Sequence, residues 1–166
     1  NEAGLAAFEQ AVPPRDGRFP MRLANHAAFH SPLVDHVSLL GRQALPAALF
    51  GNPQIPMIDG RGSIWWPHAC HIDALHDYTL RTQVVETYDF TRAVAVAARE
   101  FAPDLFIVTG PGNTLGGAIA QSLIAADWRN LGSKSDFLAR QGGSDPVLVS
   151  MAIAQQRAQV CLQTGD

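Results

Sequence analysis

Apolar positions recur along this chain in two rhythms, one of helical spacing and one of short, nearly continuous runs. Gly4–Ala11 reads as the end of a helix stopped by Pro13-Pro14. Phe19–Leu23 alternates like a short strand. Behind Ser31-Pro32, where Ser suits a cap and Pro the first helical position, Leu33, Val37, Leu40 and Ala44 fall on one helical face. Ile55–Asp59 predicts a short strand closed by Gly60-Arg61-Gly62. A helical pattern runs from Pro67 to about Val85, and another, rich in Ala and Val, from Thr91 to Glu100. Asp104–Thr109 is a compact apolar run of the kind found in parallel sheets, and it leads through Gly110-Pro111-Gly112-Asn113-Thr114 into a helix from Leu115 to about Ala126. Residues 130–145 look loose, with Gly142-Gly143-Ser144, and Met151–Leu162 reads as a last helix. The order of elements predicts an α/β class, with few strands for a complete domain.

Composition narrows the function classes. The chain has 166 residues, 47% of them hydrophobic, enough for a proper core and too many for a disordered chain. A formal net charge of −3 gives no electrostatic footprint for nucleic acid or an anionic membrane surface. No apolar run approaches the roughly 18 residues that would span a bilayer, and the amino terminus lacks the design of a signal peptide. Cys70 and Cys161 are too few for a disulfide framework and read as free thiols. A cytoplasmic location is the expectation.

The chemistry concentrates around His30. It stands at a strand-to-helix junction just before Ser31-Pro32, where a rigid scaffold can present a side chain. A histidine there can serve as general base for a hydroxyl nucleophile while a carbonyl or carboxylate holds its other nitrogen. His26 and His36 carry no comparable signal. His68, Cys70, His71, Asp73 and His76 form a dense group of potential ligands, but their spacing matches no structural zinc pattern, and the expectation is no metal. Gly110-Pro111-Gly112 lacks the third glycine of a dinucleotide fingerprint and the lysine of a phosphate loop, so it reads as a tight turn near the active site.

Ala28-Phe29-His30-Ser31-Pro32-Leu33-Val34 resembles the Ala-Phe-His-Ser-Pro-Leu-Met signature of acyl-carrier-protein acyltransferases. These are the malonyl-CoA:acyl carrier protein transacylases and the acyltransferase domains of polyketide and fatty-acid synthases. Ile55–Gly60, Leu80-Arg81-Thr82-Gln83 followed by Phe90, and Gly110–Leu115 resemble further segments in the same order. The resemblance covers roughly residues 5–150. It implies an α/β-hydrolase-like core over residues 28–150, with residues 1–27 ending a small ferredoxin-like subdomain and 151–166 forming a terminal helix or tail. It also implies that His30 is the catalytic histidine and that the main-chain carbonyl of Gln83 orients it. Residues 27–30 match a position linked to extender choice: Phe29 implies a pocket suited to malonyl, whereas Ala27 departs from the usual His.

Acyl-CoA would be the substrate, with no bound cofactor, and an acyl carrier protein the partner. The Gly-His-Ser-x-Gly elbow that displays the family's nucleophile is not found, since Ser63 and Ser144 lie in unsuitable settings. Together with the start at Asn1-Glu2-Ala3, this leads to the expectation that the chain is the carboxy-terminal half of an acyltransferase whose serine lies outside it. A non-catalytic acyltransferase-like module for binding or scaffolding is the alternative.

Overall fold

The computed structural model describes residues 1–15, 17, 19–22 and 27–161. His26, and part of the boundary placed at residue 27, lie outside the described residues. Helix α1 (Glu2–Ala11) is capped by the Asn1 side chain, which accepts from the Gly4 N–H at 2.8 Å. It buries none of its residues. Arg22 ties it down, reaching both Glu2 and Glu9. Of the alternating run Phe19–Leu23, Leu23 lies outside the described residues; over residues 19–22, Phe19 makes an isolated antiparallel bridge to Arg15, and Pro20 has no N–H to continue a ladder.

Pro32–Val34 forms one tight turn that feeds helix α2 (Asp35–Ala44). Met57–Ile58 (β1) pairs antiparallel with Ile64–Trp65 (β2), Met57 facing Trp65 and Ile58 facing Ile64. A continuous helical stretch follows, made of α3 (Ile72–Asp77), a wide π-type turn (Tyr78–Thr82) and α4 (Gln83–Val85). It starts later than the pattern predicts, because Pro67–His71 is irregular and His68 takes a left-handed conformation, φ 61°. Ser38 of α2 donates to the Leu80 carbonyl inside the wide turn at 2.7 Å, and Thr79 donates to the Leu75 carbonyl.

The apolar core lies further along. Helix α5 (Phe90–Phe101) begins at Asp89, whose side chain accepts from the Arg92 N–H, and ends at Ala102 with φ 41°. Strand β3 (Phe106–Val108) leads through the Gly110-Pro111-Gly112 turn to helix α6 (Leu115–Ala125). Gly110 and Gly112 have φ of 116° and 71°, a region that disfavours a Cβ. Helix α7 (Lys134–Gln141) follows, then β4 (Leu148–Ser150) and a short helix α8 (Ala154–Arg157). Strand β4 runs parallel to β3, pairing Phe106 with Leu148, Ile107 with Val149 and Val108 with Ser150. Such a parallel pair needs a crossover, which α6 and α7 supply.

Val94 and Ala98 of α5, Val108, Ile119, Ala120 and Leu123 of α6, Phe137 of α7, and Val147 and Leu148 form one contiguous cluster. Leu123, Val147 and Val149 have no exposed surface, and burying each such side chain is worth roughly 1.5–3 kcal/mol. The fold is therefore mixed α/β, dominated by helices, with two small sheets among the described residues. Residues 130–145 are not loose throughout but hold α7, and the run before Met151 forms β4. The last helix shrinks to four residues. Among the described residues no helix is long and apolar enough to cross a membrane.

Candidate functional site

The helical stretch that began at Ile72 stops abruptly after Val85, where Glu86 turns extended (ψ 156°). A helix that ends leaves its last carbonyls without intrahelical partners. Two of them, on Gln83 and Val84, are taken by one residue. His30 donates its backbone N–H to the Val84 carbonyl at 2.8 Å, and its ring Nδ1 lies 2.6 Å from the Gln83 carbonyl oxygen. His30 reaches both because its backbone is left-handed, φ 62°, a conformation uncommon for a residue other than glycine and frequent at functional sites. Behind it, Ser31 Oγ donates to the Ala28 carbonyl at 2.6 Å and tightens the loop.

This geometry fixes the chemistry of the ring. A carbonyl oxygen only accepts, so Nδ1 must carry the hydrogen and donate it. In the neutral ring Nε2 then holds the lone pair. The residue as a whole is exposed. The Tyr88 ring packs against the imidazole with centroids 5.4 Å apart at 46°. His30 and Gln83 are thus brought together through the Gln83 main chain, while Phe29, 55% exposed, and Ala27, also exposed, lie on the surface of the same loop.

Next to this pair stands an arrangement to which the sequence reading attaches no role. The turn between β1 and β2 is organised by Asp59, whose side chain is 1% exposed. Its Oδ1 accepts from the backbone N–H groups of Arg61 (2.9 Å) and Ser63 (3.0 Å), and its Oδ2 from the Arg61 guanidinium (2.6 Å). Burial by itself pushes the Asp59 carboxyl up. The Arg61 hydrogen bonds and the backbone N–H donors outweigh it and hold the group below the usual carboxylate range. The Arg61 guanidinium, raised by Asp59, lies 4.4 Å from the centroid of the Tyr78 ring. Tyr78 Oη accepts the Gly60 N–H at 2.8 Å, and burial raises its phenol. Burial raises Tyr88 as well, with the Asp59 charge adding to it.

A cleft of about 140 Å³ joins the two groups, lined by Asp59, Trp65, Tyr78, Gln83 and Tyr88 among others. The signal for the turn is present in Asp59-Gly60-Arg61-Gly62-Ser63, because an Asp ahead of glycines bonds backbone N–H groups two and four residues on. What cannot be read there is that the turn lands beside His30.

The potential metal ligands of residues 68–76 are not assembled. His76 Nε2 is 2.7 Å from the Leu45 carbonyl, its ring meets Phe50 edge-on, and among the described residues no three His, Cys, Asp or Glu side chains are gathered as a metal ion would need. Comparison of the chain with protein-family models, with curated proteins and with solved structures found no match.

Proposed function

We propose that the chain carries the histidine side of an acyl-carrier-protein acyltransferase, working with a serine outside these 166 residues. The observation that carries this reading is the bond from His30 Nδ1–H to the Gln83 main-chain carbonyl. The motif resemblance assigns these same two positions to a catalytic histidine and the carbonyl that orients it. A carbonyl fixes the tautomer as the carboxylate of a Ser-His-Asp triad would, without adding a buried charge. The parallel β3–β4 pair with α5 and α6 against it is compatible with part of an α/β-hydrolase-like core.

In this reading His30 Nε2 accepts the serine proton as the serine oxygen attacks the thioester carbonyl of an acyl-CoA, malonyl-CoA by the motif resemblance. The C–S bond breaks, and the leaving CoA thiolate takes that proton. The phosphopantetheine thiol of an acyl carrier protein then gives its proton to the same nitrogen and attacks the acyl-serine ester. The serine leaves and is reprotonated by the imidazolium. The Gln83 carbonyl dipole faces the positive charge that builds on the ring in each half-reaction.

The test is transfer of labelled malonyl from CoA to carrier protein by the full-length protein. His30→Ala is expected to slow the transfer by about 10²–10⁴-fold, the usual worth of a positioned acid–base group. Gln83→Ala keeps the carbonyl and is expected to change the rate less than about twofold. Transfer at the parent rate by His30→Ala would sink the assignment and leave only the reading of a binding or scaffolding module.

A further inference from the structure

A single hydrogen bond from an exposed imidazole competes with water, and a ring that swings off the carbonyl no longer has its tautomer fixed. We infer that Tyr88 is the positioning residue that keeps the His30 ring against the Gln83 carbonyl, and that the Asp59–Ser63 turn holds Tyr88 in place through Gly60. The inference rests on the role proposed for His30 and adds what that role requires, a defined direction for the Nε2 lone pair.

Three observations carry it. The first is the ring contact, with centroids 5.4 Å apart and planes tilted by 46°, so that the phenol bears on the face and edge of the imidazole. The second is continuity. Tyr88 follows closely on the helix end whose carbonyls hold His30, so residues 83–88 supply both acceptors and the ring. The third is the buttress behind Tyr88. A Cβ on Gly60 would overlap the Tyr88 ring, so the absence of a side chain there makes the space that the ring fills. The next residue ties the two segments together, the Asp89 N–H donating to the Gly60 carbonyl at 2.8 Å. Gly60 itself is buried and fixed from the other side by its N–H bond to Tyr78 Oη and by the Asp59 carboxylate that closes the turn. Each contact in the series Asp59, Gly60, Tyr88, His30 is short-range packing or a hydrogen bond, and none involves the Tyr88 hydroxyl.

The last point makes the inference testable without touching His30. In the full-length protein with isotope-labelled histidine, the ring nitrogens of His30 are expected to report a single Nδ1–H tautomer. Tyr88→Phe, which keeps the ring, should preserve it. Tyr88→Ala and Gly60→Ala should both yield a mixture of tautomers, although Gly60→Ala removes nothing from the Tyr88 side chain. The backbone signals of Leu123, Val147 and Val149 are the control for folding. If they move in Tyr88→Ala, then Tyr88→Leu, which keeps bulk without a flat ring, replaces it.

In malonyl transfer the ring-removing variants should lose about tenfold in kcat with KM changed less than about twofold, because misdirection of a base affects the chemical step. A single tautomer and parent kcat in Tyr88→Ala or Tyr88→Leu would overturn the inference. Mixed tautomers with unchanged transfer would support the positioning role of Tyr88 while overturning the catalytic role of His30.

Discussion

Around Leu123, Val147 and Val149, none with any exposed surface, β3, β4 and α6 are joined by apolar contact and one short parallel ladder. Around His30, an exposed residue, the chain is joined by two carbonyl acceptors at a helix end and the ring of Tyr88. The first region gains free energy from area removed from water, which is large and non-directional. The second gains little, because each hydrogen bond there is exchanged against bonds to water, but each bond dictates an orientation. Stability and direction are therefore kept apart in this molecule, and substitutions in the two regions should fail in different ways.

The largest expected effect on stability tests that separation directly. Leu123→Ala removes a fully buried side chain from the middle of the cluster and leaves a cavity, with an expected cost of about 2–5 kcal/mol. His30→Ala removes an exposed ring and one hydrogen bond, and is expected to cost about 1 kcal/mol or less. Urea unfolding midpoints of the two variants, with the slope checked for constancy, measure the contrast. Equal losses would mean that the His30 loop is a structural element and would remove the distinction.

The same division decides what is legible in the sequence. Helix α5 shows itself through Asp89 at its cap and Ala93, Val94 and Ala98 on its buried side, and β3 through an apolar run bounded by a glycine turn. Helix α7 escapes because it buries a single residue, Phe137, and its start rests on the Ser133 side chain accepting from the Asp136 N–H. Strand β4 escapes because an isolated run of three or four apolar residues has no period. At the site, His30 and Gln83 can be paired because a motif relates them across more than fifty residues of chain. Asp59, Gly60, Tyr78 and Tyr88 cannot, since their part depends on a turn landing against a ring, and nothing local encodes that meeting.

Between the two regions stands the Asp59 turn, buried like the core and directional like the site. Its carboxylate is held below its ordinary value of 3.8 by the Arg61 and Ser63 donors. A carboxyl depressed in the folded state contributes stability that is fully present above the unfolded value. That contribution is lost as pH falls through the lower, folded value. Stability should therefore hold steady at neutral pH and decline below the ordinary carboxylate range, with part of the decline belonging to Asp59. Asp59→Asn should cost about 1–3 kcal/mol at neutral pH, since it weakens two backbone bonds and leaves Arg61 without its partner. It should also flatten the acid limb of the stability profile. An unchanged acid limb would show that other carboxyls account for the decline.

The smallest expected effect is at Trp65, whose ring lies 5.9 Å from that of Tyr78 in the wall of the cleft beside His30. Its indole Nε1–H is buried and has no acceptor among the described residues, which makes it unlike the donors in the Asp59 turn. A buried donor without a partner has given up its bond to water for nothing, so removing it relieves a cost. Trp65→Phe loses some packing area in exchange. The two changes oppose each other, and the net effect on the urea midpoint should lie within about 1 kcal/mol in either direction. A loss well beyond this would mean that the indole bulk rather than its N–H sets the wall of the cleft. The polar atoms of this region would then be held by packing, as the core is, and the contrast between Leu123 and His30 would apply to the His30 loop alone.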